Sequence, residues 1–530
     1  MSEVEAQQKH ATDEEVLAHL GIEQELKREW GVLQNFGASF SIISVITGIT
    51  TLFETGLLVG GPAVMSIGWL VVACVTLVSV GLSMAEIVSA VPSSGGPYYW
   101  AAVLSPPKYQ PFNAWVTGWF NLLGQVGVTT GISFGLAGLI STVCTLKNDY
   151  EPTPGKTIGI YAAILVSHGL INTFGVKTLK YFNNTSIILH SLGVASICIA
   201  VLAKAPTHQS ASFVFGKFFD GTGTDAPGWS IRASKEYVAV TGILMSQYTI
   251  TGFDASAHMS EETKNASWAA AVGVVTSIGV SAVFGFFVIL AFLFSIQDFD
   301  STVASPTGQP VLQIFLDVFG VNGAIVLMTF IMVCVWHCGL FSIASNSRMM
   351  YSFARDGGLP KPLSHVHGKY QVPVRTIWLA VLLSFCLALP SLGSSVAFAA
   401  ATSIATIGLY ISYSLPVLIK LIFPRYFVKG PFNLGKLSKF INIICCSWVG
   451  FITVAFCLPT ANPVTSQTLN YSAVAVGIVG GWALLSWIYF RKHFKGPIRP
   501  EDIERIDGTY SLEVNAGPDE KGVTTASGKF

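Results

Sequence analysis

Charge is what this sequence has least of. Only 11% of its 530 residues are Asp, Glu, Lys or Arg, against roughly 25% in an average soluble protein. A net charge of +1 supplies no basic field for nucleic acid, so that partner class is excluded. Cysteines in metal-type spacing are also missing. The pair Cys445-Cys446 and the Cys334/Cys338 spacing lie in apolar runs, where small thiols pack as core residues. P-loop and dinucleotide fingerprints are absent, as is any cluster of nucleophile and base at one interface. No metal, cofactor or enzymatic activity is therefore expected. The first 30 residues are polar, with Lys27 and Arg28 just before the first apolar run. That order lacks the features of a cleavable signal, and the first span is expected to act as its own insertion signal.

Long apolar runs are what the sequence has instead. A bilayer core takes about 20 apolar residues per helix. With that ruler, twelve spans are expected at 36–58, 62–90, 112–144, 156–175, 182–203, 236–257, 270–295, 311–346, 376–391, 396–419, 441–460 and 470–490. The fold class is all-α integral membrane, because barrel strands run only about 9–11 residues and alternate in polarity. If the amino terminus is cytoplasmic, 24 of the 30 Lys and Arg residues fall on the inner side. The other six are Lys147, Lys156, Lys204, Lys217, Arg232 and Lys235. This asymmetry places both termini in the cytoplasm. The chain then divides into an amino-terminal tail (1–35), spans one to five (36–203), an exposed outer connection (204–235), spans six to ten (236–420), spans eleven and twelve (421–490) and a polar carboxyl tail (491–530).

Two stretches sit badly in these runs. VITGITT (Val45 to Thr51) lies in span one and YTITGFD (Tyr248 to Asp254) in span six. The two spans begin successive sets of five, and an odd number inverts the second set relative to the first. Glycine-interrupted segments at matching positions point to a transporter's midplane site. Opened backbone is costly in lipid unless something polar lies beside it. Amides at a half-helix start attract a carboxylate, and freed carbonyls at a half-helix end accept from an ammonium group. The alternative is a Gly/Thr patch packing against a neighbouring helix.

Three further motifs carry a resemblance. SMAEIVSAVPSSGGPYYW (Ser83 to Trp100), GFDASAHMSEETKNA (Gly252 to Ala266) and SNSRMMYSFARDGGLP (Ser345 to Pro360) resemble signatures of the amino acid–polyamine–organocation permeases. Their wording is most similar to the eukaryotic amino acid/choline branch, with its permeases for γ-aminobutyrate, choline and related amines. The resemblance implies a five-plus-five inverted repeat with broken helices one and six, two added helices, and alternating access coupled to protons or to exchange. Carried over by position, the first-span Gly-Ser-Gly falls on Ile46, Thr47 and Gly48, so its first glycine is missing. Thr47 and Gly48 would offer amides to a substrate carboxylate, and Ser44 a carbonyl to its amine, with Ile49 beside them. Tyr248 falls at an aromatic gate, Thr251 would offer a carbonyl beside Gly252 and Phe253, and Gln125 matches a polar pocket position.

An ionisable residue at membrane depth costs roughly 2.5–3.5 kcal/mol on insertion scales. Asp254 is read as a proton-coupling carboxyl, with a cap for freed amides as the alternative. Glu86 is read as a partner in a gate network. His190 stands where some relatives use a basic residue, against the plainer reading of a neutral imidazole bonded to a carbonyl. His168, His258 and His337 are read mainly as packing residues, Trp336 and His337 as possible neighbours of the pocket, and Asp317 has no assigned role. The function expected is a plasma-membrane or endomembrane permease for γ-aminobutyrate or another small amino acid. A choline or polyamine carrier is the rival, and a non-transporting amine receptor is the alternative from another class.

Overall fold

The computed structural model describes residues 12–147, 150–174, 176–392 and 397–497, with two short strands at Ile503–Ile506 and Thr509–Leu512. Most of the carboxyl tail expected from 491 onwards lies outside the described residues. Among the described residues, ten helices are long and apolar enough to cross a membrane, from Val32–Leu58 through Ser472–Phe490. The first has 27 residues and, at 1.5 Å per residue, exceeds a hydrocarbon core about 30 Å thick.

The two expected spans outside these ten differ from them for separate reasons. The fourth is one helix, Pro154–Thr173, but Lys156, His168 and Asn172 make it more polar than the others. The sixth is divided into Lys235–Gly242, Leu244–Thr249 and Ala255–His258. No piece is long enough to span alone.

Close backbone packing holds the helices together. The third span, Gln110–Cys144, lies against Ala397–Ile422. A Cβ on Gly124 would sit 2.6 Å from the Leu409 amide nitrogen, and one on Gly408 3.0 Å from the Gly124 nitrogen. Small residues at such crossings let dispersion contacts replace the hydrophobic drive that lipid removes. The outer connection is tied down, because Val59–Gly60 pairs antiparallel with Phe219–Asp220. The amino-terminal segment also folds back onto the helices. Leu17, Leu26 and Trp30 are buried, and Arg28 donates to the Thr263 carbonyl at 2.5 Å.

The first and sixth spans are both broken, and the two breaks interlock. Span one changes direction at Ser44 (φ 25°, ψ 76°), between Val32–Ile43 and Val45–Leu58. Span six is unwound from Ile250 to Asp254, with Gly252 at φ 93°. A Cβ on Gly48 would meet Thr249 Oγ1 at 2.4 Å and its Cα at 2.9 Å. Reciprocally, a Cβ on Gly252 would meet Ile42 Cγ2 at 2.4 Å. Gly48 admits the side chain and backbone of Thr249, and Gly252 admits the side chain of Ile42.

Gly252→Ala therefore adds a left-handed backbone penalty of about 1–3 kcal/mol to a clash with Ile42. Thermal melting of the purified protein should show a clear loss of stability. The double variant Gly252→Ala/Ile42→Ala should recover the clash component only. A single variant as stable as wild type would contradict the packing described.

Candidate functional site

The site is built from what the two breaks leave unpaired. In span one, the Thr47 and Gly48 amides both donate to the Ser44 carbonyl, at 2.8 and 3.2 Å. They are not the open amides that position matching suggests. The second half-helix instead begins with Val45 and Ile46, whose amides stand in its first turn, where a helix supplies no acceptor of its own. The Ile42 carbonyl, freed by the same break, accepts from the Cys338 thiol at 3.1 Å.

His190 holds this break in place. It lies in a π-helical turn, Leu189–Gly193, a distortion common at functional positions. Its Nδ1 is 2.9 Å from the Ser186 carbonyl and its Nε2 is 2.7 Å from Ser44 Oγ. A carbonyl only accepts, so Nδ1 carries a proton, while the Ser44 hydroxyl can donate to Nε2 or accept from it. The ring bonds directly to the residue at which span one turns.

In span six the freed carbonyls are nearly all taken. Tyr410 donates to the Ile250 carbonyl at 2.5 Å, Ser39 to that of Phe253 at 2.8 Å, and the Ala255 amide to that of Gly252 at 3.3 Å. Thr251 turns its hydroxyl onto the Gln247 carbonyl at 2.6 Å. Its own carbonyl receives no donor among the described residues.

A small cavity lies between the two breaks. Thr47, Gly48, Tyr248 and Thr251 line it, as do Ile42, Ile43, Val128, Ile132, Thr249 and Cys338. No carboxylate, ammonium, guanidinium or imidazole is on its wall. Ser44 adjoins it through Thr47, while Ile49 and Phe253 are buried elsewhere, Phe253 against the Tyr413 ring at 5.0 Å. Gly252 is taken up by its contact with Ile42. Trp336 and His337 lie away from the wall, bonded to Ser167 Oγ and the Val333 carbonyl. The aliphatic part of the wall gave no sequence signal, because Ile and Val are unremarkable in a membrane span.

A polar cluster stands beside the cavity. Gln125 Nε2 donates to Asp254 Oδ2 at 2.7 Å. The same oxygen is 3.2 Å from His258 Nε2, and His258 Nδ1 is 2.7 Å from the Ser94 carbonyl. Both Asp254 and His258 have fully buried side chains. Sequence reasoning placed Asp254 here but missed His258 as its partner.

Beyond this cluster, towards the amino-terminal segment, the chain is sealed. Glu261 receives the Ser94 amide at 3.0 Å and Arg355 at 3.3 Å, and Glu262 receives Arg348 at 2.9 Å. Tyr98 donates to Asp356 at 2.8 Å, and Tyr351 to Glu25 of the amino-terminal segment. Burial alone would raise Glu261, yet Arg355 and the Ser94 donors hold its carboxyl below the usual range. Burial wins at Glu262, whose carboxyl is raised despite Arg348, and pushes Asp356 up to about 6. Glu86 is not part of this seal. Its carboxylate pairs with Lys420, receives Ser438 Oγ at 2.6 Å and accepts from the Leu434 amide at 3.0 Å. It anchors a connection between helices.

Comparison with known proteins agrees with this architecture. The family described as amino acid permease matches residues 33–481. The chain is 45% identical to the amino-acid permease BAT1 homolog of Oryza sativa subsp. japonica, over 91% of this chain and 95% of the relative. It is 41% identical to the amino-acid permease BAT1 of Arabidopsis thaliana, over 91% and 95%. It is 32% identical to the GABA-specific permease of Saccharomyces cerevisiae, over 92% and 86%. A multi-pass chain of apolar helices, matched along most of its length, belongs to the amino acid permease family.

Proposed function

We propose that the protein is a secondary active transporter of a small zwitterionic amino acid, working by alternating access around the cavity between the two breaks. One observation carries this reading: the cavity between the two breaks is lined by Thr47, Gly48, Tyr248 and Thr251 and by no charged side chain, and the breaks themselves leave backbone dipoles of opposite sense. The Val45 and Ile46 amides begin a half-helix and suit a carboxylate, and the Thr251 carbonyl suits an ammonium group. In this reading all twelve expected spans cross, in a five-plus-five inverted arrangement, with both termini cytoplasmic and the protein in the plasma membrane.

The rival substrates fit the cavity less well. Choline would favour an aromatic cage, but of Tyr248, Phe253 and Trp336 only Tyr248 is on the wall. A polyamine would favour carboxylates, and the wall has none. The name of the yeast relative makes γ-aminobutyrate the first amino acid to try. Proton coupling is assigned to Asp254, a buried carboxyl next to the span-six break that can change protonation as the site opens to one side or the other.

The test is accumulation in proteoliposomes under an imposed pH gradient. γ-Aminobutyrate, alanine, glutamate and arginine serve as competitors, with their methyl esters and choline as controls. Amino acids should compete and accumulate, while the esters and choline should not. Competition by choline and not by amino acids would overturn the substrate class, and binding without accumulation would mark a receptor. Asp254→Asn should flatten the pH dependence of uptake more than it weakens equilibrium binding. Full gradient-driven accumulation by that variant would reduce Asp254 to a helix cap.

A further inference from the structure

We propose that Asp254 and His258 form one proton-holding unit, sharing a single proton across their hydrogen bond, and that His258 latches this unit to the Ser94 loop that seals the amino-terminal side. The proposal rests on the proton-coupled reading above and identifies where the proton resides.

The argument starts from hydrogen-bond polarity. His258 Nδ1 lies 2.7 Å from the Ser94 carbonyl oxygen. A carbonyl has no proton to give, so Nδ1 carries one permanently while this contact stands. The other ring nitrogen, Nε2, faces Asp254 Oδ2 at 3.2 Å. Without a further proton, a lone pair on Nε2 would face an ionised carboxylate, with both side chains fully buried. One proton between them resolves this, either on Oδ2 and donated to Nε2, or on Nε2 and donated to Oδ2. The pair is neutral in both forms.

The surroundings favour the form with the proton on the carboxyl. Gln125 donates to Oδ2 alone, and Oδ1 is buried with no hydrogen-bond partner. An unpaired oxygen is tolerated more cheaply in a neutral acid than in a carboxylate. The neighbouring ionisable group is Tyr413, whose hydroxyl faces Asp254 from the adjoining helix. On the Ser94 side, the charged groups are Glu261, bonded to the Ser94 amide, and Arg355 and Asp356 beyond it. Tyr98 donates to Asp356. Among the described residues, no Lys or Arg bonds to the pair.

The latch follows from the same contacts. Gly96, at φ 56°, lies under the imidazole, and a Cβ there would be 2.8 Å from His258 Cε1. The ring is thus held between the PSSGGP loop and the span-six break. While the seal is closed, losing the proton would bury a net charge. When the loop moves, water reaches the pair, the Oδ2–H or Nε2–H bond breaks, and the proton leaves to the amino-terminal side. It is replaced from the opposite side after the site reorients, so one proton moves for each cycle.

The experiment uses the whole protein in liposomes containing a pH-sensitive dye, with the accumulating amino acid from the panel as the driving solute. Protons moved per substrate are read in the same vesicles for wild type and His258→Gln. The ratio should fall to background in the variant, and a wild-type ratio there would overturn the proposal. Wild-type uptake without proton movement would defeat the coupling reading itself, and the shared proton with it. Infrared titration of the wild type needs no variant of His258. The protonated-carboxyl band that is absent from Asp254→Asn should disappear in one step with an imidazole change. A carboxyl band titrating with no imidazole change would also overturn the proposal.

Discussion

The reciprocal contact of two broken helices governs this molecule. Gly48 admits Thr249, and Gly252 admits Ile42, so each break is braced by the backbone or side chain of the other. Breaking a helix inside an apolar bundle frees amides and carbonyls that water cannot reach, each costing several kcal/mol if unpaired. Nearly all are matched locally. Cys338, Tyr410 and Ser39 take freed carbonyls, and Ser44 takes the amides of Thr47 and Gly48. Thr251, whose carbonyl is left over, lines one cavity together with Thr47 and Gly48 of the span-one break.

The same interlock explains how the two ends of the site can behave differently. Towards the amino-terminal segment, span one and span six are bound to each other by hydrogen bonds, through Asn35 to Ser256 and Thr263 and through Ser39 to Phe253 and Ser256. Three distant stretches are layered over that joint: the PSSGGP loop, the Glu261–Glu262 turn and the Arg348–Asp356 helix end. Their ion pairs are buried, and such pairs hold a geometry more than they add stability. A seal made of several small polar contacts can be undone stepwise, which suits a surface that must open and close.

Much of this was legible in the sequence, and the rest was hidden for identifiable reasons. Glycine, threonine and aspartate stood out in apolar runs, so the two broken spans could be located, and the family resemblance singled out Thr47, Gly48, Tyr248 and Thr251, which line the cavity. The turning point of span one was misplaced by a few residues. It falls at Ser44 because His190 and Cys338, from distant helices, hold that region, and local composition carries no trace of them. His258 read as a packing residue because its Ser94 partner lies 164 residues away. Lys420 and Ser438, the partners of Glu86, were equally remote. Helical stretches lie at the residues expected for the fourth and sixth spans, yet these two fall outside the ten long apolar helices. One is too polar, and the other is broken.

The central claim is that substrate is held by backbone groups of the two breaks. The most direct measurement is a structure of the protein with its transported amino acid bound. A substrate carboxylate oxygen is expected within about 3 Å of the Val45 or Ile46 amide nitrogen, with the amino group at the Thr251 carbonyl. An amino acid bound through the Asp254 and Gln125 side chains, with those amides and that carbonyl untouched, would contradict the account.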